Sequence, residues 1–249
     1  MNHAPAPATA KELEEALSSP TDYVVAAMAQ LTGDILMLGA GGKMGPSLSV
    51  MAKRASDKAG VNRRVMAASR FSSSEARDYL TQQGVETFAC DFMKPGALNE
   101  LPDAANIVYM AGMKFGAAHQ LGRTWAINAW LPGEVCIRFP HSRIAVFSTG
   151  NIYGLAPVSS GGSKEEDAPQ PQGEYAMSAL GRERVFEHFS IEQQTPQSII
   201  RLNYACDLRY GVLVDIASKV LEGKPVSLEM GYLNTIWQGD ANAQALASL

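Results

Sequence analysis

Cysteine is scarce in this chain and odd in number: three in 249 residues, Cys90, Cys136 and Cys206. A scattered, odd set excludes a disulfide framework and is expected of reduced, mostly buried thiols in a cytoplasmic protein. Histidine is also sparse. The four lie far apart with no paired-ligand spacing, so no metal site is expected. Positive charge does not dominate: 21 Lys and Arg against 25 Asp and Glu leave a formal net charge of −4. That balance argues against a general nucleic-acid binder. No run approaches the roughly 20 apolar residues of a membrane-spanning helix, so no membrane partner is expected. The opening MNHAPAPATAKELEEAL has neither a basic n-region nor an apolar h-region and does not read as a signal peptide. What remains is 46% hydrophobic and 18% charged. This is the composition of a soluble globular protein, with ample material for one large or two small domains.

The most informative stretch is ILMLGAGGKMGPSL, from Ile35 to Leu48. A short apolar run, Ile35 to Leu38, reads as a buried parallel strand. It leads into Gly39, Gly42 and Gly45 at G-x-x-G-x-x-G spacing, and a helical pattern follows. The first glycine permits a tight turn out of the strand, the second lets backbone approach a pyrophosphate, and the third lets the helix pack close to the sheet. The free N–H groups and positive end of the helix then face the phosphates. Glycine clusters also make ordinary turns; strand before and helix after point to a dinucleotide site. Gly39, Gly42, Lys43, Met44 and Gly45 are its candidate residues.

Alternation continues along the chain. Expected strands are Arg64–Ser69, Val85–Ala89, Asn106–Met110, Arg143–Phe147 and Ser198–Leu202. Expected helices are Pro46–Ala59, Ser74–Gln83 (opened by a serine cap and an early glutamate), Gly122–Phe139 (interrupted near Pro132) and Tyr175–Phe189. This pattern predicts an α/β fold, a Rossmann-type doubly wound parallel sheet. A small C-terminal substrate region, expected to be truncated, follows in this reading. Residues 1–30 read as an N-terminal extension, with a loose lead to about Thr9 and a short helix at Lys11–Leu17. Residues 31–203 read as the dinucleotide-binding domain and 204–249 as a partial substrate-binding region. Within the last, Gly211–Leu221 reads as a helix and Val226–Leu228 as strand-like. Asp240–Leu249 is helical in pattern without a capping glycine, from which the natural chain is expected to continue. Gly154 to Gly173, rich in Pro, Ser and Gly, is a long loop of the kind that often serves function.

The end of the second strand bears on cofactor choice. An acidic residue there would bind a ribose 2′-hydroxyl, and an arginine a 2′-phosphate. The strand ends Ala67-Ala68-Ser69-Arg70 with no carboxylate. Ser69 and Arg70 therefore favour NADP over NAD, unless Arg70 is only a solvated loop residue. Asp91, after the third strand, suits either the adenine amino group or the cap of a turn. Ala111 and Gly112, after the fourth, are small where the chain must pass close to a cofactor.

Two further stretches carry a resemblance. Ser148-Thr149-Gly150-Asn151-Ile152-Tyr153-Gly154 follows the fifth strand, and Glu174-Tyr175-Ala176-Met177-Ser178-Ala179 opens the next helix. With the glycine loop, they resemble the extended short-chain dehydrogenase/reductases, the NAD-dependent epimerase/dehydratase family, over roughly Gly33 to Asp240. The resemblance implies an NAD(P)-dependent oxidoreductase or epimerase acting on a sugar or nucleotide-sugar. In it Tyr175 exchanges a proton with the substrate oxygen, Thr149 orients that oxygen and Asn128 supports the relay. A homodimer through the helices of Asn128 and Tyr175 is also implied; Trp125 and Trp130 would serve that face or the core. The family's lysine, one turn beyond the tyrosine, binds the nicotinamide ribose and lowers the tyrosine pKa by its charge. Here that position is Ala179, whose methyl does neither. Lys114 is a candidate replacement cation, the alternative being a plain surface lysine. Arg182, two turns along from Tyr175, reads as a helix-face ion-pair partner. A cofactor-binding regulatory protein without turnover is the competing reading.

Overall fold

The computed structural model describes residues 6–114 and 119–249. Six parallel strands form one sheet in the order β3-β2-β1-β4-β5-β6: β1 Ile35–Leu38, β2 Val65–Ser69, β3 Glu86–Ala89, β4 Asn106–Tyr109, β5 Arg143–Thr149 and β6 Gln197–Leu202. The order reverses between β1 and β4. That switch point opens a crevice at the carboxyl ends of the strands, where α/β proteins bind ligands. All four residues of β1 are fully buried, and so are those of β4 but for a trace of Asn106. This is why both read as unbroken apolar runs.

Strand alternation divides the core in two. Ile35, Met37, Val65, Ala67, Val108, Ala145 and Phe147 face helices α2 (Asp22–Gln30), α3 (Gly45–Lys58) and α9 (Gln238–Ala247). Leu36, Leu38, Met66, Ile107, Tyr109, Ile144 and Val146 face α6 (Leu131–Arg138) and α7 (Gly173–Gln193). Helix α4 (Ser74–Gln82) joins β2 to β3; Ser73 stands at its N-cap without a side-chain cap bond.

The short helix expected at Lys11–Leu17 is present as α1 (Ala10–Ser18), and a second helix follows it. Thr9 caps α1 by accepting from the Glu12 amide, and Thr21 caps α2 by accepting from the Val24 amide. Helix α2 has no counterpart among the elements expected from the sequence. Residues 1–5 of the expected lead lie outside the described residues. Helix α9 packs on α2 and α3. Its Asn242 amide donates to the Leu17 carbonyl (3.2 Å) and to Ser47 Oγ (3.0 Å). The strand-like Val226–Leu228 is not a strand. Leu228 is exposed and buries no apolar face against the fold. Instead β7 (Tyr204–Cys206) pairs in parallel with β8 (Thr235–Trp237). The apolar helix α8 (Val212–Leu221) buries none of its residues fully. Among the described residues no helix is long and apolar enough to cross a membrane.

The expected helix Gly122–Phe139 is three pieces: α5 (Leu121–Trp125), a π turn at Ala126–Trp130, and α6. Proline at 132 has no N–H for the Asn128 carbonyl. The ladder slips there, and the Leu131 amide reaches back five residues to the Ala126 carbonyl. Single π turns of this kind recur at functional sites because they re-aim one side chain. Here the residue in the middle is Asn128.

Candidate active site

Two adjoining clefts run along the carboxyl edge of the sheet, of about 330 and 230 Å3. Gly39, Gly42, Met110 and Gly112 line both. Gly39 has φ +96°, and a Cβ there would lie 2.6 Å from the Ala111 amide nitrogen. Gly45 allows α3 to start against the loop, since its Cβ would fall 2.1 Å from the Ala40 carbonyl oxygen. Gly42 differs: a Cβ there would meet only the Gly39 carbonyl oxygen, at 3.6 Å. Space is left above it, facing the N-terminus of α3, where no side chain caps the free amides. Lys43 spans outward from this loop. Its Nζ donates to the Ala205 carbonyl at 2.9 Å and sits 4.4 Å from the Tyr210 ring centre.

The first cleft is walled by Ser69, Arg70, Asp91, Ala111 and Gly112, together with Phe71, Arg123 and others. Arg70 is exposed at its mouth. Asp91 makes the turn contact expected of it, its Oδ1 accepting from the Met93 amide at 3.2 Å, and it also lines the cleft. Phe71 holds φ +46°, a strained setting for a bulky side chain that tends to persist at ligand sites. Neither Phe71 nor Arg123 carries a sequence signal that singles it out.

The second cleft is lined by Lys43, Met44, Lys114, Ser148, Tyr175 and Arg182 among others. Tyr175 stands on the first turn of α7, and Lys114 Nζ lies 5.9 Å from its ring centre and 5.5 Å from that of Tyr204. Lys114 itself is exposed. Thr149 does not line either cleft; it is buried and its Oγ1 accepts from the Asn151 amide at 3.2 Å. Ser148 is the hydroxyl in the wall. It donates to Glu183 Oε1 at 2.5 Å, and Glu183, fully buried, pairs with Arg201 at 2.9 Å. That hydrogen bond, reinforced by the Tyr153 hydroxyl, raises the Arg201 pKa further above its already high ordinary value.

Asn128 is fully buried. Its Oδ1 accepts from the Met113 amide and from Arg182 Nη2, both at 2.8 Å, while its Nδ2 donates to the Met113 carbonyl and Ser178 Oγ, both at 3.0 Å. Arg182 corrects the helix-face reading. It is 6% exposed and has no carboxylate within ion-pair distance among the described residues. Its Nη1 donates to the Phe147 carbonyl at 2.8 Å, its guanidinium lies 5.8 Å from the Tyr109 ring centre, and its Nε has no partner among the described residues. The reason lies in α7, whose Ala176, Ala179, Arg182 and Glu183 face inward as one buried stripe.

Among the described residues the two clefts together carry five cations, Lys43, Arg70, Lys114, Arg123 and Arg182, against the single carboxylate of Asp91. In a chain of net charge −4, this is a focused positive field suited to an anionic ligand.

No family model matches the chain, and no curated protein matches its sequence. Solved structures do match. UDP-glucuronic acid 4-epimerase from Bacillus cereus, in complex with UDP-glucuronic acid and NAD, aligns with a TM-score of 0.68 at 15% identity, over 84% of this chain and 70% of that one. UDP-N-acetylglucosamine 4-epimerase from Methanobrevibacter ruminantium aligns at 0.69 and 17% identity, over 86% and 72%. UDP-glucose 4-epimerase from Thermotoga maritima with UDP-glucose aligns at 0.68 and 16%, over 86% and 72%. The chain has the fold of these nucleotide-sugar epimerases. The Rossmann-type sheet expected from the sequence is therefore present, in the architecture that the family resemblance implied.

Proposed function

We propose that this protein is an NAD(P)-dependent oxidoreductase or epimerase of a sugar or nucleotide-sugar. The observation that carries the reading is the continuous cationic cleft that starts at Gly42, over the uncapped N-terminus of α3, and ends at Tyr175. Its residues fit a dinucleotide. Gly39 and Gly45 leave no room for a side chain, Gly42 leaves room for a phosphate, and the field is positive. Gly39, Gly42, Lys43, Met44 and Gly45 would hold the pyrophosphate region. Ser69, Arg70, Asp91, Ala111 and Gly112 would hold the adenosine half, with Arg70 selecting a 2′-phosphate and so NADP over NAD. The solved neighbours with bound NAD and UDP-sugars support the class of cofactor and substrate.

A nicotinamide held there would supply hydride transfer chemistry at the substrate carbon. The rest falls to the chain. Tyr175 Oη passes a proton to or from the substrate oxygen. Ser148, the hydroxyl in the cleft wall, orients that oxygen in place of Thr149, which the motif assigned to it but which lines neither cleft. Asn128 fixes the 112–114 segment through both backbone groups of Met113. Lys114 covers the Tyr175 ring from the solvent side. Residues 31–203 form the dinucleotide-binding unit in this reading, residues 1–30 an extension of it, and residues 204–249 contribute to the substrate side. Two copies would pair through α5, the π turn, α6 and α7, where Trp125, Trp130, Ile137 and Met177 are exposed.

The test is incubation with NAD or NADP and a panel of UDP-sugars, followed by proton NMR of the sugar and absorbance of reduced nicotinamide. Turnover abolished by Tyr175→Phe supports the relay; turnover unaffected by it defeats the relay. One observation, the methyl of Ala179, favours a second reading. In it the protein binds the cofactor for regulation and turns nothing over, and tight cofactor binding without conversion of any UDP-sugar would decide for it.

A further inference from the structure

A buried guanidinium without a carboxylate is costly, and natural proteins keep such groups mainly where they do chemistry or binding. Arg182 is that group. It is 6% exposed, and among the described residues its only hydrogen bonds go to the neutral oxygens of Phe147 and Asn128, with no partner for its Nε. The neighbouring Glu183 does not neutralise it, being engaged with Arg201 and Ser148. Its position is specific. A Cβ on Gly112 would lie 2.5 Å from Arg182 Nη2, so the guanidinium forms the floor beneath a residue shared by both clefts.

We propose that Arg182 is the fixed cation of the reacting end. From one turn farther along α7, it supplies the ribose binding and electrostatic support that a lysine at position 179 would give. Side chains on a helix lean toward its N-terminus. Three residues are about 4.5 Å of rise, within the reach of an arginine. The long side chain from 182 thus returns to the level vacated by the methyl of Ala179. Asn128 positions this cation. Its Oδ1 takes Arg182 Nη2 and the Met113 amide together, locking the guanidinium to the loop that lines the cleft. Lys114 is a poorer candidate for this role. It is exposed, so water screens its charge, and it lies against a ring face.

This inference rests on the dinucleotide reading, and the experiment separates the two. Fluorescence and calorimetric titrations with NADH, NADPH and 5′-AMP are made on the wild type, Arg182→Met, Arg182→Lys and the double variant Ala179→Lys/Arg182→Met. Wild type that binds none of the three defeats the dinucleotide reading itself. Given binding, Arg182→Met is expected to weaken the tighter reduced cofactor about tenfold or more while AMP, which needs only the adenosine half, stays within about twofold. Arg182→Lys and the double variant are expected within about threefold of wild type. The pH–rate profile of any turnover is expected to move to higher pH in Arg182→Met and back in the double variant. Unchanged cofactor affinity in Arg182→Met overturns the proposal. An equal loss of AMP and cofactor also overturns it, because that marks a merely structural arginine. If Arg182→Met does not fold, Arg182→Gln, whose amide can still donate to an oxygen in place of the guanidinium but carries no charge, decides: a selective loss of cofactor affinity supports the proposal and unchanged affinity overturns it.

Discussion

Arg182 Nη2 donates to Asn128 Oδ1 at 2.8 Å, joining α7 to the π turn across 54 residues of sequence. The same carboxamide holds both backbone groups of Met113. One buried amide therefore sets the relation between a cation, a cleft-lining loop and the helix that carries Tyr175. Asn128→Ala leaves the guanidinium and two backbone groups unsatisfied, and is expected to destabilise the fold by about 2–4 kcal/mol. Asn128→Asp, which offers the guanidinium a carboxylate but cannot donate to the Met113 carbonyl, is expected to cost less. Chemical denaturation of the two variants checks the order.

The glycines separate packing from ligand space. Gly45→Ala forces a Cβ onto Ala40 and is expected to lose about 1–3 kcal/mol of stability. Gly42→Ala meets only an oxygen at 3.6 Å and is expected to unfold within about 0.5 kcal/mol of wild type. Its reduced-nicotinamide affinity is nevertheless expected to fall about tenfold or more. Parallel melts and fluorescence titrations distinguish the two.

Much of this was legible in the sequence because it is local. The run Ile35–Leu38, the glycines after it and the apolar strands each announce themselves within a few residues. Arg182 did not, since its burial depends on Phe147 and Asn128, 35 and 54 residues away. Its spacing from Tyr175 fits a solvated helix face as well as an inward one. The π turn was invisible for a related reason. A one-residue slip in the hydrogen-bond ladder barely disturbs hydrophobic periodicity, and Pro132 marked only its neighbourhood. Helix α2, DYVVAAMAQ, gives a weak periodic signal, and only packing on α3 and α9 fixes it. Thr149 fits the motif, yet Ser148 is the hydroxyl in the cleft wall, because strand alternation sends the two to opposite faces.

In the proposed reading Arg70, exposed at the mouth of the first cleft, selects the cofactor. Arg70→Ala is expected to weaken NADPH by about 10–100-fold, the worth of a charge-assisted contact of roughly 1.5–3 kcal/mol. NADH should change less than about twofold. Competitive titration of the two cofactors reads the ratio directly.

The buried carboxylate of Asp207 gives a pH prediction. Burial alone would raise its pKa, but the Arg209 amide and guanidinium and the Tyr210 amide outweigh burial and hold it below the ordinary aspartate value. A depressed pKa contributes stability that is present above the unfolded value and lost as pH falls through the folded one. Stability is therefore expected to decline on acidification below about pH 4. Asp207→Asn should lose stability at neutral pH and show a shallower acid limb, as measured by urea unfolding across pH.

The central claim is that the cleft from Arg70 to Tyr175 holds a nicotinamide dinucleotide, and its most direct test is titration of the wild-type protein with NADPH and NADH by fluorescence. Saturable one-site binding, tighter for NADPH and weakened about tenfold or more in Gly42→Ala, is the predicted result. Failure to bind either cofactor, or binding that Gly42→Ala leaves untouched, would contradict it.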